Sequence, residues 1–89
     1  MIKNKINILV VDDEFDICEM VAEILKDENY NAIIANNYNM AIEILKNENI
    51  NLLITDIWMN NDTNAGLKLL TFSQNYNPLI PVIMMSGHG

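Results

Sequence analysis

Four short apolar runs alternate along this chain with segments whose apolar residues recur at three- and four-residue spacing. That alternation is what most limits the fold. Lys5–Val11 is rich in β-branched residues, as a strand is. From Glu14 to Glu28 the residues Ile17, Met20, Val21, Ile24 and Leu25 mark one face of a helix. Asn31–Ala35 reads as a second strand, closed by the turn-prone Asn36 and Asn37. Asn39–Asn47 reads as a short helix with Ala41, Ile42 and Leu45 inward, and Leu52–Thr55 as a third strand. A polar loop over 60–65 precedes a helix, Gly66–Gln74, packed through Leu67, Leu70 and Phe72. Pro78 and Pro81 then bracket the approach to a fourth strand, Val82–Met85, followed by "SGHG". Met20, Met40, Met84 and Met85 are expected to fill the core, with Cys18 as a small core residue and Trp58 and Met59 as packing residues. Strand–helix repetition of this kind predicts a parallel sheet with helices on its faces. Strands 1, 3 and 4 are nearly continuous apolar runs, as strands covered on both sides are.

Composition removes several classes of function. At 89 residues the chain makes one small domain, with a core that is marginal for its size. Five lysines against twelve acids leave a net charge of −7, and there is no arginine. Nucleic acid and anionic membrane are therefore excluded as direct partners, whereas cations and basic protein surfaces are allowed. A single cysteine rules out a disulfide framework or a thiolate metal cluster. The apolar runs are far too short to span a bilayer. Acids follow the first apolar run where a signal peptide needs small residues. The expectation is a cytoplasmic domain whose first strand lies near the start.

Right-handed crossovers place the C-terminal ends of parallel strands on one edge of the sheet, where open α/β folds bind ligands. Three of those ends carry polar groups: Asp12 and Asp13 in "ILVVDDE", Asp56 in "LLITDIWM", and Ser86 after "PVIMM". Acids at the start of a helix are ordinary caps, which accounts for one of the first pair. No helix start explains Asp56. Carboxylates brought together repel and hold their protons unless a cation neutralises them. Mg²⁺ suits such a site, because it takes one or two carboxylates and keeps waters that a phosphate can replace. An aspartate beside it can act as a nucleophile and form an acyl phosphate. Ser86 could donate to a phosphoryl oxygen, and the carbonyl of Trp58, two residues past Asp56, could reach the metal. His88 reads as a loop residue.

"ILVVDDE", "LLITDIWM" and "PVIMMSGHG" resemble, in order and spacing, the receiver domains of bacterial two-component response regulators. "DIWM", a loop two residues longer than usual before "GLKLL", and "SGHG" resemble the NtrX-type branch of the nitrogen-regulation regulators. In that branch the receiver precedes an ATPase that activates sigma-54 polymerase and a DNA-binding domain. The resemblance implies an α/β fold, a three-layer flavodoxin-like doubly wound parallel sheet. It implies that Asp56 accepts phosphate from a sensor histidine kinase. It further implies that Asp13, Asp56 and the Trp58 carbonyl ligate Mg²⁺, that Asp12 acts through water, and that Ser86 senses the phosphate. Such a domain is no enzyme beyond its own phosphorylation and dephosphorylation. Two departures stand out: Asn60 replaces a common proline, and the family's later helix, lysine-bearing fifth strand and last helix lie beyond Gly89. Lys68 is in the wrong place to substitute for that lysine. The expectation is a four-stranded sheet of order 2-1-3-4, with strand 4 as an apolar edge, and a chain that either self-associates through that edge or is only partly ordered.

Other functions fit less well. A haloacid-dehalogenase-type phosphatase wants D-x-D after strand 1, and "VVDDEFD" spaces its acids differently. A flavodoxin-like cofactor binder wants a Ser/Thr/Gly phosphate loop there, not three acids. The remaining alternative is a shortened receiver that serves only as a binding module or has no function.

Overall fold

The computed structural model describes residues 5–59, 62 and 64–85. The elements run β1 (Asn7–Val11), α1 (Phe15–Asp27), β2 (Asn31–Ala35), α2 (Tyr38–Asn47), β3 (Leu52–Asp56), α3 (Ala65–Tyr76) and β4 (Val82–Met85). The strands form one parallel sheet in the order β2-β1-β3-β4, as the alternation predicts. Element ends differ from the sequence reading by a few residues at most, and local hydrogen bonds explain several of them. The Asn37 side chain accepts from Met40 N at 2.8 Å, which starts α2 at Tyr38. Asn29 takes a left-handed φ of 71° just past α1, and Tyr30 N donates to Leu25 O at 2.9 Å, closing the helix. At the other end of the sheet Asn7 accepts from the Asn31 amide and donates to Asn49 O, both at 2.8 Å. Those bonds tie β1 to its neighbours from Asn7 onward.

Strand side chains alternate between faces, so β1 feeds two cores. Leu9 and Val11 join Leu53, Ala41, Leu45 and Leu69 on the side covered by α2 and α3. Ile8 and Val10 join Cys18 under α1, with Val21, Leu25, Ile34, Leu52 and Ile54 packed around them. The second core is the thinner of the two. Leu52 and Ile54 stay partly buried, whereas Leu53 and Thr55 on the opposite face are fully covered.

Two helix faces differ from the periodic reading. In α1 the buried residues are Cys18 and Ala22, while Met20 and Ile24 are 53% and 58% exposed. The apolar arc of α1 is wider than the sheet beneath it, and its small residues mark the line of closest approach. In α3 the buried leucine is Leu69, and Leu67 is 47% exposed. The cause is Gly66, whose Cβ, if it had one, would meet the Asp56 carbonyl oxygen and lie 2.7 Å from Ile57 Cα. That contact sets the rotation of α3, and Leu67, one residue on, is carried about 100° away from it. Met40 is also exposed, and Trp58 is 49% exposed while its neighbour Met59 is buried. No helix among the described residues is long and apolar enough to cross a membrane.

Leu69→Ala is expected to cost about 2–5 kcal/mol of stability, as removal of a buried leucine does. Leu67→Ala should stay within about 0.5 kcal/mol. Urea unfolding of the two variants measures both, and comparable losses would contradict the observed phase of α3.

Candidate functional site

Parallel register brings the acids together. The last β1–β3 pair is Val11 with Thr55, so the next step along both strands sets Asp12 beside Asp56. Paired residues of neighbouring parallel strands point to the same face, here the face carrying Ile8, Val10 and Ile54. Asp12 and Asp56 are 5% and 1% exposed, and Asp13 is exposed. One carboxylate oxygen from each of Asp12, Asp13 and Asp56 lies within 4.8 Å of the others. Trp58 sits two residues beyond Asp56 and is half-exposed. Ser86 and His88 lie outside the described residues.

The peptide at Asp12 is held from several directions. Its N–H donates to Ala35 O of β2 at 3.2 Å. Its carbonyl accepts from Asn36 Nδ2 at 3.2 Å and from the Cys18 thiol at 3.4 Å. Its carboxylate accepts from Glu14 N at 3.0 Å, a turn that leads into α1. On the Asp56 side, Ile57 N donates to Met85 O at 3.2 Å, and Gly66 N donates to Ile57 O at 2.9 Å. Asn36, Cys18 and Gly66 escape a reading based on spacing. Asn36 looks like an ordinary turn residue, and Gly66 like the start of a helix.

Burial pushes the Asp12 carboxyl up to about 6. The Glu14 N–H opposes this, and Asp13 and Asp56 add to it. Three hard oxygen donors this close, one of them open to solvent, suit a small divalent cation whose remaining positions are filled by water. Lys68 is engaged elsewhere, 2.8 Å from Asp62 in the loop before α3. Both side chains of that pair are exposed, so it does little for stability. A groove of about 790 Å³ between α2 and α3 is lined by Tyr38, Asp62, Leu67, Lys68 and Phe72 among others, and by none of the three clustered acids.

In the metal-free protein the contribution of Asp12 to stability should fall as pH rises from about 4 to about 6. Because its carboxyl titrates higher in the folded chain than in the unfolded one, Asp12 makes folding take up a proton in that window. The penalty is absent below the lower limit and complete above the upper one. Asp12→Asn keeps the acceptor for Glu14 N and removes the charge, so its urea midpoint should gain on the wild type across that window. A constant difference from pH 4 to pH 7 would show that Asp12 is not destabilised by its surroundings.

Strand order and paired acids at the ends of β1 and β3 define a doubly wound α/β domain with a cluster of three carboxylates at its sheet edge that could hold a cation. The chain belongs to the response regulator receiver domain family, which matches residues 8–89. Over 84 residues it is 43% identical to an NtrX-like response regulator of Rickettsia bellii, covering 94% of this chain and 18% of that protein. It is 42% identical over 83 residues to the nitrogen assimilation regulatory protein NtrX of Azorhizobium caulinodans, covering 93% and 18%. The chain thus spans less than a fifth of the length of these relatives, at 18% of each. The crystal structure of the NtrX receiver domain from Brucella abortus superposes with a TM-score of 0.84 at 40% identity, over 92% of this chain and 68% of that one. The response regulator TrrA of Thermotoga maritima, in complex with Mg²⁺ and BeF, gives 0.86 at 30% identity, over 94% and 71%.

Proposed function

We propose that this chain accepts a phosphoryl group on Asp56 from a sensor histidine kinase, in the cytoplasm, as the input step of a two-component system. The observation that carries the reading is the meeting of Asp12, Asp13 and Asp56 within 4.8 Å at the ends of adjacent strands. A carboxylate oxygen of Asp56 attacks phosphorus as the P–N bond to the kinase imidazole breaks. The electron pair leaves with that nitrogen, and an acyl phosphate remains on the aspartate. Asp13, Asp56 and the Trp58 carbonyl would hold Mg²⁺, with Asp12 acting through water and the Ser86 hydroxyl donating to a phosphoryl oxygen. Mg²⁺ supplies neutralisation of the charge on the transferring oxygens. Similarity to a nitrogen assimilation regulatory protein supports a regulatory output, and the resemblance of the motifs implies that this output runs through an ATPase of the sigma-54-activating kind. With Mg²⁺ and acetyl phosphate, mass spectrometry should find one phosphoryl adduct that Asp56→Asn abolishes. Persistence of that adduct in the variant would defeat the assignment of Asp56.

Self-association through β4 belongs to the same reading. Among the described residues β4 pairs only with β3, and Pro81 O accepts from Leu53 N while Met85 O accepts from Ile57 N, just past β3. The ladder alternates, so the backbone groups of Val82 and Met84 face outward. Ile83 is 50% exposed, and an apolar edge of this kind invites pairing with another strand. Sedimentation of the 89-residue chain at micromolar concentration should show dimers or larger species. A sharp monomer with cooperative unfolding would refute the edge argument.

A further inference from the structure

Asn36 contributes no carboxylate to the cluster, yet its side chain reaches the peptide from which the cluster departs. Its amide nitrogen lies 3.2 Å from the Asp12 carbonyl oxygen, across a separation of 24 residues. The Asp12 carbonyl and the Asp13 N–H belong to one planar unit, so a bond to the first fixes the tilt of the second. That tilt directs the Cα–Cβ bond of Asp13. Asp13 is exposed, and core packing contributes little to its orientation. Asn36 itself is well anchored. It follows buried Ala35, which pairs with Val11 across β1 and β2 and accepts from Asp12 N at 3.2 Å. The sequence-distant end of β2 and the residue after it thus grip both sides of Asp12, its N–H through Ala35 and its carbonyl through Asn36.

Cys18 bonds the same oxygen from α1 at 3.4 Å. Burial, helped by the charge of Asp12, pushes its thiol up to about 11, so the S–H proton is present at physiological pH. A thiol is a weak donor, which leaves the amide as the principal one. Asparagine is suited to the position because it donates without charge. Aspartate there would have no N–H and would add a further carboxylate to a crowded edge.

We propose that Asn36 is a positioning residue, whose amide, with the Cys18 thiol, holds the Asp12–Asp13 peptide so that Asp13 and Asp56 can share one divalent cation. The cation half of this statement rests on the function proposed above; the hold on the peptide does not.

Asn36→Ala tests both halves. In metal-free protein the ¹⁵N resonance of Asp13 should move as its peptide carbonyl loses a donor, while the amides of Leu9 and Val10 stay in place. An unmoved Asp13 resonance would overturn the hold. Titration with Mg²⁺, read from Trp58 emission and the amide shifts of Asp13 and Asp56, should need about tenfold more metal for half-saturation. The rate of acetyl phosphate labelling at saturating Mg²⁺ should change less than about twofold, since the reacting groups are untouched. Asn36→Asp should bind Mg²⁺ no better than Asn36→Ala despite its added negative charge. Tighter binding by Asn36→Asp would mean that charge, not orientation, is what the position supplies, and the proposal would fall. It would fall equally if Asn36→Ala left Mg²⁺ half-saturation unchanged, or if its urea midpoint dropped in step with its affinity. Wild-type protein that ignored millimolar Mg²⁺ would sink the function reading and the cation half together, with the Asp13 shift still judging the hold.

Discussion

The parallel pairing of β1 with β3 holds side by side carboxylates whose mutual repulsion would otherwise drive them apart. Backbone bonds along Ile8–Val11 and Leu52–Thr55 lock the two strands in register, and that register fixes where the next residue of each strand must lie. Asp12 and Asp56 emerge level, on one face, with Asp13 next to them. The cost is visible in the Asp12 carboxyl, which burial and its acidic neighbours push up to about 6. Apolar packing on both sides of the strands stabilises the arrangement, since Leu9, Val10, Val11 and Leu53 are fully buried. A site that is unfavourable when empty is one whose electrostatics favour a cation, because the ion removes the same repulsion that opposes folding.

Around that pair the neighbouring elements act on backbone more than on side chains. β2 reaches Asp12 through Ala35 O and the Asn36 amide, α1 through the Cys18 thiol, and α3 reaches the other side through Gly66. Gly66 lets α3 approach until its N–H bonds Ile57 O at 2.9 Å, which any side chain at that position would block. The rotation of α3 follows from that contact, and so does the burial of Leu69 in place of Leu67. One close approach therefore links the strand end that carries Asp56 to the core under α2 and α3.

The two faces of the sheet are unequally covered. α2 and α3 together seal Leu9, Val11 and Leu53, with Ala41, Leu45 and Leu69 packed against them. α1 alone covers Ile8 and Val10, leaving Leu52 and Ile54 only partly buried and Ile83 half-exposed. The same shortfall accounts for Met20 and Ile24, apolar residues of α1 that have nothing to pack on among the described residues. Hydrophobic periodicity records which residues can be buried, and the amount of covering surface decides which of them are.

Sequence alone determined the element order, because period-two and period-3.6 patterns are local properties of the chain. β2 and β4 were legible to the residue, and the meeting of the acids at the ends of β1 and β3 was legible because parallel strands must end on one edge. Helix phase was legible only in part: Val21, Leu25 and Phe72 pack on the cores, whereas Met20, Ile24 and Leu67 are exposed, since a broad apolar arc fits several rotations and only contact with the sheet selects one. Nor were the roles of Asn36, Cys18 and Gly66, whose partners Asp12, Asp56 and Ile57 lie on other elements. Local chemistry chose the carboxylates, and tertiary structure decided their spacing and what holds them, because hydrogen bonds and close approaches between distant segments exist only once the sheet has formed.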